Sequence, residues 1–284
     1  MTARSTGTIL DVIVSDRRVR LAQDRNARPE ARLRDLVAMA PPAVDFAARL
    51  REGRQATPAG ARLRLIAEVK RASPSKGVFD ANLDAAKQAR AYASAGAAAI
   101  SVLTEPDHFK GSLADLEAVR TEFGDDPDRP AVLRKEFIFD PYQVLEARAA
   151  GADALLLIVM MLEPPALALL LAQTYDLGMQ ALVEVHDEAE MHAALAAGAK
   201  VLGVNNRDLR TFVEDLGTTE RVAAIVPPGV TLVAESALRQ AADARRMAAC
   251  GAHALLVGEA LVTTGDIVSK ARELMLIDDL EAQA

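Results

Sequence analysis

The stretch GADALLLIV, residues 151–159, decides the fold class, because it predicts a β-strand that is buried on both faces. From Ala154 onward its residues are apolar at successive positions, whereas a strand with one face in water would alternate between apolar and polar residues. Gly151 follows a predicted helix, Pro141–Ala150, and fits the left-handed residue that commonly closes a helix. A helix, a glycine and a buried strand in this order are typical of α/β proteins with a parallel sheet.

The same succession recurs along the chain. Gly-Ala pairs begin at Gly96, Gly151, Gly198 and Gly251, about 50 residues apart, which is the length of two βα units in a typical barrel. They precede the second, fourth, sixth and eighth of the predicted strands, which are Leu65–Val69, Ala99–Leu103, Ala131–Leu133, Ala154–Val159, Ala181–Val185, Val201–Val204, Thr231–Ala234 and Ala254–Val257. Helices are predicted between them, among others over Asp84–Ala95, Pro164–Leu177, Glu188–Ala197 and Leu238–Ala249. We therefore predict a (β/α)8 TIM barrel of the α/β class. A doubly wound open sheet is the alternative, but no GxGxxG turn follows the first strand.

The residues before the first strand predict a helical extension. An amphipathic helix is expected from Ile9 to about Ala22, and another near Val44–Leu50. We interpret this segment as a cap on the closed end of the barrel. The expected organisation is one domain over residues 1–284, with the extension at about 1–60 and the barrel at about 61–284.

Charge and composition exclude several classes of protein. The 33 Lys and Arg against 40 Asp and Glu give a net charge of −7, which disfavours binding to nucleic acid or to a membrane surface. A single cysteine, Cys250, allows no internal disulfide. The apolar run Ile9–Val14 is short and is interrupted by Asp11, unlike a signal peptide, and no stretch has the roughly 20 apolar residues of a membrane span. A cytoplasmic location is expected.

Polar residues stand at the carboxyl ends of several predicted strands, which in a (β/α)8 barrel form the active-site face. They are Glu68, Lys70, Lys135, Glu184, Asn205 and Glu235. Any one of them could be a structural ion pair, and Glu68 and Lys70 share a strand face and could pair with each other. The joint pattern indicates an active site, because burying this many polar groups at one rim is unfavourable without a function. Arg134, next to Lys135, is expected to point outward.

Anion-binding signals lie at the same predicted face. Ser236 follows the seventh strand, and Gly258 precedes a helical run over Glu259–Thr263, which is where phosphate sites often lie in these barrels. The segment 73–77 (SPSKG) adds hydroxyl and cationic donors, with Lys76 expected to be solvated. Glu184 and His186 could both bind a metal, but no third ligand is apparent, so a metal site is not expected.

Several of these stretches resemble indole-3-glycerol phosphate synthases. The matching motifs are IAEVKRASPSKG (66–77), SVLTEP (101–106), LRKEF (133–137), LVEVH (182–186) and GVNNRDL (203–209). The resemblance runs in register from about Glu68 to Leu261 and extends to the helical extension. It implies a cofactor-free carboxy-lyase of tryptophan biosynthesis that closes the ring, decarboxylates and dehydrates 1-(2-carboxyphenylamino)-1-deoxyribulose 5-phosphate.

The resemblance also implies residue roles. Lys135 matches the general acid and Glu184 the general base, and a lysine can be an effective acid if burial and neighbouring cations lower its pKa. The other catalytic positions are Lys70 near the substrate carboxylate, Glu68 and Asn205, which orient it, and Glu235. The substrate-binding positions are Ser73, Phe109, Phe137, Arg207, Leu209, Ser236, Ala237, Gly258 and Glu259, of which Phe109, Phe137 and Leu209 surround the aromatic ring and Ser73, Ser236 and Gly258 match the phosphate site.

One position departs from the family. The family usually has Glu-Ser-Gly after the seventh strand, and here the third residue is Ala237. Because alanine tolerates a positive φ poorly, either this loop has ordinary dihedral angles or its phosphate affinity is altered.

The expected partner is a small phosphorylated substrate, and we expect a monomer, with weak self-association as the alternative. Two other functions stay open: a phosphoribosyl isomerase on the same barrel, and a non-catalytic barrel that binds a phosphometabolite.

Overall fold

Eight parallel strands close into a barrel in the computed structural model, which describes residues 3–52, 56–57, 60–61 and 63–277. We number the barrel strands β1 (Arg64–Val69), β2 (Ala99–Leu103), β3 (Ala131–Lys135), β4 (Ala154–Ile158), β5 (Gln180–Val185), β6 (Val201–Asn205), β7 (Thr231–Glu235) and β8 (Ala254–Val257). Each pairs with the next in sequence, and β8 closes the barrel by pairing with β1, Leu255 against Leu65. The predicted (β/α)8 barrel is confirmed, and the predicted strands differ from these only by one or two residues at their ends.

Helices follow each strand around the outside. The described helices are α1 (Ile9–Ala27), α2 (Glu30–Met39), α3 (Phe46–Arg51), α4 (Ala85–Ser94), α5 (Leu113–Phe123), α6 (Pro141–Ala149), α7 (Pro164–Asp176), α8 (Glu188–Ala196), α9 (Gly217–Ala223), α10 (Ala241–Ala249), α11 (Glu259–Val262) and α12 (Ile267–Leu274). The four glycines of the Gly-Ala pairs have φ between 88° and 92°, the left-handed conformation that the sequence predicted. Among the described helices, none is both long and apolar enough to cross a membrane.

The helical extension contacts both ends of the barrel. α3 lies at the closed end, where the backbone N–H of Ala47 donates to Gln180 at the start of β5 and Arg51 Nε donates to Thr231 at the start of β7. α1 lies instead at the carboxyl end, where Ile9 and Ile13 line the cavity described below. The expectation that the whole extension caps the closed end is therefore wrong for α1.

Contacts with the loop after β2 explain where α1 lies. His108 Nε2 is 2.9 Å from Asp16 Oδ2, and Arg20 forms an ion pair with Asp107. Both partners follow the carboxyl end of β2, so they draw α1 to the face where the polar residues are clustered. The amphipathic pattern of α1 shows that one face is buried, but it does not identify the surface that covers that face.

Asp153 joins the extension to the closed end of the barrel. Its carboxylate, in a residue only 1% exposed, accepts hydrogen bonds from Arg129 Nη1 and Nη2 at 2.5 and 2.8 Å. It also accepts the backbone N–H of Val132 at 2.7 Å and of Val44 at 2.9 Å. One buried carboxylate thus fixes the start of β3 and the segment that leads into α3.

We predict that Asp153→Ala lowers the free energy of unfolding by about 3 kcal/mol or more, because removing one partner of a buried ion pair leaves a buried guanidinium unpaired. Asp128→Ala is the matched control: its side chain is 90% exposed and 3.5 Å from Arg49, and an exposed pair contributes about 1 kcal/mol at most. Urea unfolding of both variants measures the difference. If the two variants lost the same free energy of unfolding, the hydrogen bonds of Asp153 would not stabilise the fold.

Candidate active site

A cavity of about 440 Å³ opens at the carboxyl ends of the strands. Every residue that the sequence analysis assigned to a site lines it: Glu68, Lys70, Ser73, Phe109, Lys135, Phe137, Glu184, Asn205, Arg207, Leu209, Glu235, Ser236, Ala237, Gly258 and Glu259. The barrel brings them together because parallel strands end at one rim.

Lys135, at the end of β3, lies among carboxylates. Its Nζ is 2.8 Å from Glu235 Oε2 and 3.7 Å from Glu184 Oε2, across the barrel mouth. Burial favours the neutral amine, but the negative charges of Glu235, Glu184 and Glu68 outweigh it and raise the pKa of Lys135 above its usual value. The condition of neighbouring cations, under which a lysine becomes a stronger acid, is not met here, because the nearest charges are anions.

The pKa values of the two carboxylates beside Lys135 are shifted in opposite directions. Burial raises the pKa of Glu235 to about 7, since the attraction of Lys135 offsets only part of the desolvation. Burial also disfavours ionised Glu184, but His186 and Lys135 lower the pKa of that carboxyl to about 2. Near neutral pH, Glu184 is therefore the ionised carboxylate, and Glu235 is the one poised to take up a proton.

Glu68 and Lys70 form an ion pair at the end of β1, with Nζ 2.6 Å from Glu68 Oε1. Burial opposes ionisation of Glu68, but Lys70 and Lys135 lower its pKa. Gly258 leaves room for the pair, because a Cβ there would lie 2.5 Å from Glu68 Oε1 and 3.0 Å from Lys70 Nζ. Gly203 does the same for Glu235, whose Oε1 would be 2.1 Å from an added Cβ.

Asn205 and Arg207 extend the polar surface from the end of β6. Asn205 Nδ2 donates to Glu184 Oε1 at 2.9 Å, and Asn205 Oδ1 accepts the backbone N–H of Arg207 at 3.0 Å. The Arg207 guanidinium is 2.5 Å from Glu214 Oε1 and 3.7 Å from Glu259 Oε2. The sequence analysis missed Glu214, because only the shape of the loop after β6 brings it back to Arg207.

The opposite wall of the cavity is apolar. The rings of Phe109 and Phe137 lie 5.8 Å apart between centroids, and Leu10 of α1 also faces the cavity. Glu105, which is fully buried, holds the loop of Phe109 by accepting the backbone N–H groups of Asp107, His108 and Phe109 at 2.8, 2.7 and 3.0 Å. Glu105 belongs to the quoted motif SVLTEP, but no spacing in the sequence showed this supporting role.

Arg134 points away from the site, as predicted, and its Nη2 is 2.7 Å from Glu146 on α6. His186 approaches Glu184, yet in the described part of the chain no three His, Cys, Asp or Glu side chains are grouped as metal ligands. The chemistry that these residues can supply is therefore acid–base chemistry and anion binding beside an apolar wall.

Comparisons with known proteins agree with this site. The family model for indole-3-glycerol phosphate synthase matches residues 10–274. Indole-3-glycerol phosphate synthase of Roseiflexus sp. (strain RS-1) is 52% identical over 271 residues, which are 94% of this chain and 98% of that protein. The enzyme of the same name from Dehalococcoides mccartyi (strain CBDB1) is 48% identical and covers 94% of this chain and 100% of its own length.

Solved structures with low identity agree on the fold alone. The 3-hexulose-6-phosphate synthase of Salmonella typhimurium superposes with a TM-score of 0.59 at 16% identity, over 76% of this chain and 98% of that one. At this identity the likeness shows a shared barrel and carries no information on the substrate. The family is shown by the match of the family model and by the two relatives that align over nearly their full length. The chain belongs to the indole-3-glycerol phosphate synthase family.

Proposed function

We propose that this chain converts 1-(2-carboxyphenylamino)-1-deoxyribulose 5-phosphate into indole-3-glycerol phosphate, as a carboxy-lyase of tryptophan biosynthesis. The observation that carries the proposal is that Lys135 on β3 and Glu184 on β5 meet in one cavity, with their charged atoms 3.7 Å apart. Membership of the family favours this reaction over a phosphoribosyl isomerase and over a barrel that only binds a phosphometabolite.

The acid and the base serve different steps. The ring carbon that bears the carboxylate attacks the ketone carbon, and Lys135 donates a proton to the ketone oxygen as it becomes a hydroxyl. Loss of carbon dioxide restores the aromatic ring. Departure of the hydroxyl as water then requires an acid at that oxygen and a base for the proton on the aniline nitrogen, which we assign to Glu184. Transfer of a proton from the neighbouring methylene carbon to the nitrogen then completes the indole ring. The aniline nitrogen supplies the electrons, so the chemistry requires no metal and no cofactor.

Two cationic side chains are suited to the substrate carboxylate. Lys70 is tied to Glu68 and Arg207 to Glu214, so both charges are held in fixed positions at the mouth of the barrel. An acidic chain needs such local cations to attract a substrate that carries both a carboxylate and a phosphate. We propose that Phe109, Phe137 and Leu209 contact the aromatic ring from the apolar wall.

The phosphate is proposed to bind at the loops after β7 and β8. Ser236 and Ala237 both have a positive φ, 65° and 61°, so the loop keeps the left-handed turn without the family's glycine. Of the two possibilities raised by the sequence, ordinary dihedral angles are therefore excluded. Ser236, Ala237 and Gly258 all line the cavity, and we propose that the backbone N–H groups of this turn and the Ser236 hydroxyl bind the phosphate. Glu259 places a carboxylate beside them, 3.4 Å from Lys76, so we infer that it modulates phosphate binding by charge.

We propose that the enzyme acts in the cytoplasm as a monomer, with no nucleic-acid partner. The single cysteine and the net charge of −7 support the location and the partner choice.

Incubating the purified chain with the carboxyphenylamino substrate and following indole absorbance tests the function. We predict that Lys135→Met and Glu184→Gln each lower kcat by about 10²–10⁴-fold, the usual contribution of general acid–base catalysis. Substrate should still bind, because the phosphate, carboxylate and ring contacts remain. If either variant kept more than about a tenth of the wild-type kcat, its residue would not have the assigned role.

A second prediction concerns the phosphate loop. Ser236→Ala removes one hydrogen bond to a charged group and should raise KM by about 3- to 30-fold with little change in kcat. Steady-state kinetics separate the two parameters. A collapse of kcat at unchanged KM would move Ser236 from the phosphate to the reacting atoms.

A third prediction uses the backbone of the same loop. Ala237→Gly should raise the free energy of unfolding by about 1 kcal/mol, because a left-handed alanine is strained and glycine is not. Ala168→Gly is the control, since Ala168 is exposed within α7 and the same replacement in a helix lowers stability by about 0.5–1 kcal/mol. Thermal or urea unfolding measures both; a loss of stability in Ala237→Gly would contradict the strain argument.

A further inference from the structure

His186 has no part in the mechanism above, although it lies against the proposed base. It follows Glu184 by two residues, so both side chains leave the end of β5 on the same side. Its Nδ1 is 3.0 Å from Glu190 Oε2 on α8, and its Nε2 is 3.4 Å from Glu184 Oε1. The imidazole therefore stands between two carboxylates, one in the cavity and one outside it.

Glu190 fixes the orientation of this histidine. The same oxygen, Glu190 Oε2, accepts both the backbone N–H of His186 at 2.9 Å and the ring Nδ1–H. The side chain of His186 is only 9% exposed, so the ring has little freedom to turn away. Its Nε2 is a buried nitrogen without a well-aligned hydrogen bond, and the acceptor it faces is Glu184 Oε1.

The two oxygens of Glu184 are consequently different. Oε1 accepts Asn205 Nδ2 at 2.9 Å and also faces His186. Oε2 faces Lys135 at 3.7 Å. One oxygen is held by the protein, and the other is left for a proton from the substrate.

We propose that His186 is a positioning residue for the general base: as an imidazolium anchored by Glu190, it holds Glu184 through Oε1 and leaves Oε2 to accept the substrate proton. The role of Glu184 as the base is taken from the proposed function, and the arrangement around His186 stands on its own contacts.

The surrounding charges favour this arrangement. Glu184 on β5 and Glu190 on α8 face His186, and although burial disfavours the imidazolium, the two carboxylates raise the pKa of His186 to about 10. Glu184 in turn faces Lys135 on β3 and Asn205 on β6, with Glu235 on β7 and Glu68 on β1 adding negative charge nearby. Removing the charge of His186 should therefore raise the pKa of Glu184, so that the base is lost to protonation at a higher pH.

The first experiment measures the protonation of the histidines by ¹⁵N NMR between pH 5.5 and 9. The chain has four histidines, and the spectrum of His186→Gln assigns the signal of His186. We expect His186 to remain an imidazolium to above pH 8, and the signal of His192, exposed on α8, serves for comparison. Glu190→Gln should lower the pKa of His186 by at least about one pH unit, and Glu188→Gln, an exposed change on the same helix, should not. An ordinary titration of His186, or equal effects of the two glutamine variants, would overturn the inference.

The second experiment compares pH profiles of kcat/KM from pH 4.5 to 8.5 for His186→Gln and for the control His192→Gln. We expect His186→Gln to lower kcat/KM about 10-fold at pH 7.5 and further at pH 5, because the acidic limb moves to higher pH. Glu190→Gln should give the same shift in weaker form, and it keeps the test available if His186→Gln folds poorly. Profiles of unchanged shape, with His186→Gln indistinguishable from His192→Gln, would overturn the inference. A wild type that fails to convert the substrate, with His186 still charged above pH 8, would refute the proposed function and not the arrangement of His186 with Glu190.

Discussion

The ammonium group of Lys135 holds the site together, because it is surrounded by carboxylates that would otherwise repel one another. Glu68, Glu184 and Glu235 are buried at the rim, and each comes from a different strand. Like charges in a desolvated site raise one another's free energy, and a cation among them offsets that repulsion. The cluster exists only if the barrel closes in the observed register, so the chemistry depends on the fold rather than on any local segment.

The same cluster dictates the backbone around it. Gly203 and Gly258 have no side chain because a Cβ would collide with Glu235 or Glu68, and larger residues there would displace a charged group from its partner. The loop after β7 shows the opposite case, since Ala237 keeps a left-handed φ of 61° that glycine would adopt without strain. The charged groups thus pack closely because glycine occupies two positions beside them, whereas the strain at Ala237 belongs to the loop after β7.

The sequence predicted the barrel and the location of the site well, for a physical reason. Parallel strands buried on both faces leave continuous apolar runs, and a charged residue at the end of such a run, like Lys135 or Glu184, marks the rim. It did not predict that α1 lies at the catalytic end, because its partners Asp107 and His108 are loop residues. Nor did it predict that carboxylates surround Lys135 and raise its pKa. That value depends on distances between residues about 100 positions apart, such as Lys135 and Glu235, which no local pattern contains.

The opposite pKa shifts of Glu184 and Glu235 bear on the role of general acid that we propose for Lys135. A lysine paired with two ionised carboxylates holds its proton too strongly to release it to a ketone oxygen. Glu235, whose pKa is raised to about 7, is the carboxyl that can take a proton, and when it does so Lys135 loses its nearest anion. The Lys135 and Glu235 pair then titrates as one unit, whose apparent pKa belongs to neither residue alone. Glu184 stays ionised beside it, because His186 and Asn205 stabilise its charge in addition to Lys135. Environments that push two neighbouring carboxyls apart in pKa are a general way to separate an acid from a base within one site.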